Sequence, residues 1–426
     1  MNRTERKKPE LLVPAGSLEV LKVAVRYGAD AVYIGGAEYS LRAKAKNFSS
    51  CEMQEGIAYA HEQGVKVYVT ANIFAHDEDL PGIRGYFREL GELKPDALIL
   101  SDPGVYRIAQ EICPEIPVHI STQANNTNAE TFRFWAGLGV RRVVAARELT
   151  LQELEEIRRE IPRDLEMEVF IHGSMCISYS GRCLLSNYFT GRDANRGNCT
   201  HPCRWKYTVA EETRPGMYLP VRENERGTYI FNSGDLCMVG HIPELAKTGA
   251  DSYKIEGRMK NALYVATAAR TYRRAIDDYF EDPQSYEENL PRYEEEISEC
   301  TCRMPFTTGF FFGRPGAEAQ NYGEASYARN YTYLGTVQRC GEDGFCSLEQ
   351  KNKFSVGETI EIMKPDGRNI PAAVKSIQDE EGNAMQSAPH AGQKLRVDLG
   401  LIPETNDILR RKEEEQSCQR ENMWHT

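Results

Sequence analysis

ELLVPAGSLEVLKVAVRYGADAVYIGG, residues 10–36, sets the architecture. It opens with a short apolar run, ELLVPAG, and closes with another, AVYIGG. Between them Ser17 is a ready N-cap, Leu18, Leu21, Ala24 and Val25 fall on one helical face, and Gly28 closes the helix. Strands that are apolar throughout, separated by a helix, describe a parallel sheet covered by helices. The same alternation continues through KVYVTANIF, ALILSDPG, PVHISTQ, RRVVAARE, EVFIHGS and SYKIEGR, making eight strand-like runs in all. Eight such units predict a (β/α)8 barrel of the TIM type, with its active-site face at the C-terminal ends of the strands.

Polar residues collect at those ends. Asn72, Asp102, the HISTQ stretch from His119 to Gln123, Arg147 with Glu148, His172, and KIEGR from Lys254 to Arg258 each follow a strand-like run directly. Some will only cap helices or bond loops; the rest are functional candidates.

The end of the seventh run leads into IHGSMCISYSGRCLLSNYFTGRDANRGNCTHPCRW, residues 171–205, with Cys176, Cys183, Cys199 and Cys203 in the spacing C-x6-C-x15-C-x3-C. Their neighbours, among them Ser178, Ser180, Arg182, Arg192, Asp193 and Asn195, are too polar for a packed core. The N-terminus has no apolar signal region and no stretch approaches a membrane span, so the chain is expected to be cytoplasmic, with its thiols reduced. Four soft ligands then point to an iron–sulfur cluster such as [4Fe–4S] or, as the alternative, to zinc. Cys237, in NSGDLC, is a candidate to replace one of the four; the other seven of the 12 cysteines read as ordinary thiols.

With 41% apolar and 27% charged residues over 426 positions, the composition is that of a globular protein of one or two domains. The net charge of −11 argues against non-specific coating of nucleic acid, while leaving room for a local basic patch that holds a folded RNA. The barrel is assigned to residues 1–285, including the cysteine-rich insertion and the helical stretch NALYVATAARTYRRAIDDYF. Residues 286–330 form a charged helix, read as a solvated face, and a Gly- and aromatic-rich connector. From 331 to 412 short runs broken by turns such as KPDGRN and DEEGN predict a small all-β barrel, and 413–426 a disordered tail. No nucleophile elbow, HExxH helix, P-loop or dinucleotide fingerprint is present. A Cys/His acyl-transfer pair, such as Cys176 with His172 or His201, would leave three cysteines unexplained.

Residues 168–205 resemble the signature of peptidase family U32, the collagenase-like peptidases, and ELLVPAGSLEVLKVAVRYGADAVYIGG, VHISTQ and DSYKIEGRMKNALYVA resemble its other shared stretches. KNKFSVGETIEIMKPDG and QNYGEASYARN are most similar to a subgroup that hydroxylates tRNA. The resemblance implies a barrel enzyme that converts the wobble uridine of tRNA to 5-hydroxyuridine without molecular oxygen. Prephenate is the implied hydroxyl source, and a [4Fe–4S] cluster on Cys176, Cys183, Cys199 and Cys203 the implied cofactor. Other members hydroxylate ribosomal RNA, and a peptidase with a cysteine nucleophile or zinc site is the alternative the family name suggests.

Prephenate carries two carboxylates, for which guanidinium groups are natural partners, so Arg42, Arg147, Arg182 and Arg258 become candidates for binding this small anionic co-substrate. Lys254 and Glu256, with His119 and His172 as groups that titrate near neutrality, become the catalytic candidates. The expected partners are tRNA and an electron donor or partner protein, with no membrane.

Overall fold

The computed structural model describes residues 7–41, 45–176, 178–205, 222–224, 227–229, 234–299, 302–303, 305–315, 327–328 and 330–413. All eight apolar runs are strands. They are β1 (Glu10–Pro14), β2 (Ala31–Gly35), β3 (Lys66–Ala71), β4 (Ala97–Leu100), β5 (Val118–Ile120), β6 (Arg142–Val144) and β7 (Glu166–Ser174), with β11 (Ser252–Ile255) following the hairpin of β8 (Arg222–Asn224) and β9 (Gly227–Tyr229) and the short β10 (Asp235–Cys237). Parallel pairing runs in order from β1 to β7; β11 then bonds β7 on one side and β1 on the other and closes the ring.

Helices α1 (Leu18–Arg26), α2 (Ser50–Glu62), α3 (Leu80–Leu93), α4 (Pro103–Ile112), α5 (Ala129–Gly137) and α6 (Leu151–Glu160) follow the first six strands. A short α7 (Leu185–Thr190) lies in the cysteine-rich excursion, α8 (Ile242–Lys247) precedes β11, and α9 (Ala262–Glu281) follows it. Local chemistry starts these helices: Ser17 and Asn261 accept from the backbone as N-caps, and Ser49–Glu52 and Thr150–Glu153 form capping boxes. Asp102, one of the polar strand-end residues, also caps its helix, accepting from the Val105 amide.

Strand alternation sorts the side chains. Leu11, Val13, Val32, Ile34, Val67, Val69, Leu98 and Leu100 belong to the large core beneath the helices, whereas Leu12, Ala31, Tyr33, Tyr68, Ala97 and Ile99 make a small separate cluster inside the ring. Much of the remaining interior is charged. Arg142 bonds Glu10 (2.6 Å), Glu166 (2.7 Å) and Glu168 (3.0 Å), Lys254 bonds Glu168 (2.8 Å), and Tyr68 donates to Glu10 (2.7 Å). Burial opposes the charge of Arg142, yet the carboxylates of Glu168 and Glu10 outweigh it and hold the group firmly protonated.

Three features depart from the sequence reading. The charged helix, α10 (Pro283–Ser298), is no free solvated face: it packs along α9 and buries Tyr286, Tyr293 and Ile297, while Glu296 pairs with the buried Arg270. The segment after it, residues 305–315, is more than a connector, since Thr307 exchanges backbone hydrogen bonds with Asp235 and Cys237 and so extends β10. Cys340 and Cys346, read as thiols, form a disulfide; they stand opposite each other across a hairpin with their Cα atoms 4.0 Å apart.

After the two-residue strands β12 (Cys302–Arg303) and β13 (Tyr327–Ala328) comes the C-terminal unit. It comprises β14 (Tyr331–Cys340), β15 (Cys346–Glu349), β16 (Phe354–Ser355), β17 (Thr359–Met363), β18 (Asn369–Ala373), β19 (Ser376–Gln378), β20 (Ala384–Met385), β21 (Ser387–Ala388), β22 (Lys394–Asp398) and β23 (Ile408–Lys412). Eight of these strands make a curled antiparallel sheet around its own core of Leu334, Val337, Leu348, Ile362, Ile377, Val397 and Leu409. The sheet is fastened to the barrel flank. The Tyr27 hydroxyl donates to the Met363 carbonyl and accepts from the Ile408 amide, and Arg26 and Lys364 share the fully buried Asp407.

Candidate functional site

An open cavity sits at the C-terminal ends of the barrel strands, lined in part by Tyr33, Thr70, Asn72, Ser121, Gln123 and Phe170 and by the charged side chains Arg147, Lys254, Glu256 and Arg258. The sequence reading named those four charged residues, and the fold brings them together. Each is delivered by the end of a strand: Arg147 by the loop after β6, and Lys254, Glu256 and Arg258 by β11 and the turn after it.

Their orientations are fixed by specific partners. Arg147 donates to the Ser174 carbonyl (2.9 Å), and its guanidinium carbon lies 4.9 Å from the centre of the Phe170 ring. The Lys254 ammonium sits 4.5 Å from the Tyr33 ring centre and 5.4 Å from that of Phe170, with Glu168 behind it. Arg258 is buried; it donates to Thr70 (2.6 Å), to the Ser40 hydroxyl and to Asn47 (3.1 Å), all neutral oxygens. The guanidinium passes directly over Gly35, where a Cβ would lie 2.5 Å from one of its nitrogens. Cations thus crowd one small cavity, an arrangement suited to a carboxylate or phosphate ligand.

The histidines lie elsewhere. His119 is beneath the cavity, two residues before Ser121 on the same face of β5, with its ring edge-on to Tyr68. Burial, reinforced by Arg142 and Lys254, drives its pKa well below the ordinary imidazole value. His172 is turned into the helix layer among Tyr264, Tyr272 and Phe306, where burial lowers its pKa to about 4. Neither ring lines the cavity. Arg182 is exposed on the rim, held to the Gln123 carbonyl (3.3 Å) and stacked over Phe74. Arg42 lies outside the described residues.

The cysteine-rich excursion leaves β7 and covers the rim beside the cavity. Glu148 anchors it, accepting from the Ser180 amide and hydroxyl; Arg196 pairs with Glu78 and Asp79, and the Phe74 amide donates to the Asn195 carbonyl. Asn195 in turn bonds both the amide and the carbonyl of Cys183 (3.2 Å each). None of Cys176, Cys183, Cys199 and Cys203 is in a disulfide, and the four share this one excursion. Their donor chemistry fits a thiolate-bound metal group. As placed, however, no three His, Cys, Asp or Glu side chains among the described residues come together as a metal site. Cys237 is remote from them in character: it is buried against Tyr272, and burial pushes its thiol up to about 11.

Sequence reading did not single out Glu10, Arg142, Glu166 and Glu168, the charges that hold Lys254 from below. Their signal was available, because these strands carry opposite charges at positions of the same inward parity.

Comparison with known proteins agrees with this architecture. The description Peptidase family U32 matches residues 16–321, and Peptidase family U32 C-terminal domain matches 329–410. The chain is 41% identical to "tRNA hydroxylation protein P1" of Bacillus subtilis, covering 94% of each chain, and 39% identical to "tRNA hydroxylation protein P" of Escherichia coli, covering 94% of this chain and 96% of that one. It is also 32% identical to a "Collagenase" of Porphyromonas gingivalis, over 92% of this chain and 94% of that one. With barrel and C-terminal sheet both matched, the chain belongs to peptidase family U32.

Proposed function

We propose that this protein is a tRNA-modifying enzyme that hydroxylates the wobble uridine at C5 without molecular oxygen, taking the hydroxyl group from prephenate. The observation that carries the reading is the cavity in which Arg147, Lys254 and Arg258 converge at the strand ends, in a chain whose relatives are named for tRNA hydroxylation. A small dicarboxylate gains charge-assisted hydrogen bonds there that a neutral ligand does not. Arg258, clamped by Ser40, Thr70 and Asn47, and Arg147, braced on Phe170, hold the two carboxylates. Lys254 adds a third positive charge at the cavity wall. Glu256 is the carboxylate that faces the same space, and it takes over the proton-transfer role that the two buried histidines are not placed to perform.

Cys176, Cys183, Cys199 and Cys203 would hold a [4Fe–4S] cluster, which supplies electron transfer when bound. Zinc on the same thiols is the alternative metal. The reading places the enzyme in the cytoplasm with its tRNA, served by an electron donor or partner protein; among the described residues no helix is long and apolar enough to cross a membrane.

The test is deletion of the gene in its host, followed by mass spectrometry of nucleosides from purified tRNA and ribosomal RNA. Loss of 5-hydroxyuridine and its derivatives from tRNA, restored by the wild-type gene and not by Arg147→Gln or Arg258→Gln, is the expected result. Loss from ribosomal RNA instead would move the substrate, and an unchanged nucleoside profile would overturn the reading.

The relative named as a collagenase favours a peptidase as second reading. Against it, the cysteine beside His172 is Cys237, its register partner on β10; both bond the Tyr272 hydroxyl, and burial pushes that thiol up to about 11 and the imidazole down to about 4, the reverse of an activated thiolate–imidazolium pair. Collagen cleavage abolished by a single cysteine substitution would reverse this preference.

A further inference from the structure

The cysteine-rich excursion carries a second feature that the cavity does not use. Tyr188 is 81% exposed and Leu184 73%, and beside them Tyr179, Phe189 and Trp205 are also open to solvent. Their rings form a chain: Tyr188 lies 5.0 Å from Phe189, and Phe189 6.1 Å from Trp205, centre to centre. Large aromatic groups grouped in this way on a surface mark an interaction site rather than a random scatter of exposed residues.

The charge around them selects the partner. Residues 175–205 contain four arginines, at 182, 192, 196 and 204, and a single acid, Asp193, in a chain of net −11; the barrel sets Glu78, Asp79 and Glu148 against the inner side of this excursion. The acid is itself engaged, since Asp193 accepts from the Asn195 amide. Arg196 is taken up by Glu78 and Asp79, while Arg182 and Arg192 are exposed. Exposed aromatic rings interleaved with arginines form the standard platform for unpaired bases: the rings stack on base faces and the cations follow the phosphates. The platform adjoins the cavity, because Arg182 bonds the carbonyl of Gln123, whose side chain lines it.

We infer that Leu184, Tyr188, Phe189 and Trp205, with Arg182 and Arg192, form a stacking surface for single-stranded RNA, on which the bases next to the reacting uridine rest while that uridine enters the cavity. This rests on the proposed tRNA reading and deepens it: the feature recognised is an unpaired loop, not a duplex.

The test is fluorescence anisotropy with the full-length protein, prepared without oxygen, and a labelled anticodon stem-loop RNA bearing uridine at the wobble position. Tyr188→Ala should weaken binding about ten-fold, in line with the loss of one base–aromatic stack. Tyr188→Phe should keep wild-type affinity, since the ring is what counts. Arg182→Gln with Arg192→Gln should reduce the salt dependence of binding. Circular dichroism melting of each variant should match wild type, as expected for exposed side chains. Wild-type binding that is undiminished by Tyr188→Ala and Phe189→Ala would overturn the platform while leaving the function intact, whereas absence of any RNA binding by wild type would remove the function with it. A wild-type dimer that Tyr188→Ala converts to monomer would reassign the surface to protein contact and overturn the inference.

Discussion

At the scale of single residues, the decisive group is Lys254, a buried ammonium whose position depends on Glu168 behind it. Removing one partner of a buried ion pair leaves an uncompensated charge, so Glu168→Gln should destabilise the fold by about 3–5 kcal/mol in urea titrations. It should also cut modification activity even though Glu168 does not line the cavity. His172 supplies a pH prediction. With its folded pKa near 4, below the unfolded value of about 6.5, the unfolded chain binds more protons between those values. Stability therefore falls as pH drops through that window, by on the order of 3 kcal/mol at its lower end. Replacing His172 with Phe should flatten the stability profile from pH 6.5 to 4 by about one proton, and an unchanged slope would contradict the burial seen here. Gly35→Ala tests the opposite wall of the site. A methyl group there displaces the Arg258 guanidinium, and the half-saturating concentration of the anionic co-substrate should rise by about ten-fold, as for the loss of a charge-assisted hydrogen bond.

At the scale of elements, the eight strands were legible because each is a short apolar run between helical periods, and the polar residues that follow them directly marked the strand ends where Arg147, Lys254, Glu256 and Arg258 meet. His172 was misplaced for a local reason. Phe170 pairs with Lys254 and His172 with Ile255, so Ile171 is an extra residue in β7. Such a bulge reverses the parity beyond it and turns His172 from the mouth to the helix layer, and nothing in EVFIHGS announces the shift. The buried half of α10 was hidden in a similar way. SYEENLPRYEEEISE carries seven charged residues in fifteen, and only the spacing of Tyr286, Tyr293 and Ile297 reveals the covered stripe. In the hairpin of β14 and β15 the register alone brings Cys340 opposite Cys346, which isolated cysteines in a sequence do not disclose. In thiol titration of the unfolded, metal-free protein, added reductant should raise the count by the two thiols of this pair; a count that reductant leaves unchanged would show the pair reduced.

On the scale of the whole molecule, the sequence indicated an appended β domain, but the structure joins it to the barrel through shared core. Tyr331, Tyr333, Met363 and Ile408 belong to the same apolar cluster as the barrel helices, and Arg410 of β23 bonds Glu299 just beyond α10. Calorimetry should therefore show one unfolding transition rather than two, and a chain ending at residue 330 should be poorly soluble because it exposes Tyr27 and Arg270. The barrel also has a doorway whose two posts are paired. Residues 175–234 leave from Ser174 and come back at Asp235, and those two residues stand opposite each other in the antiparallel pair of β7 and β10. A loop whose ends are already clasped pays little for extra length, about 0.6 kcal/mol for each doubling. The apparatus over the cavity is in this sense interchangeable: it can grow, shrink or be swapped for another reader of substrates while every barrel strand keeps its place.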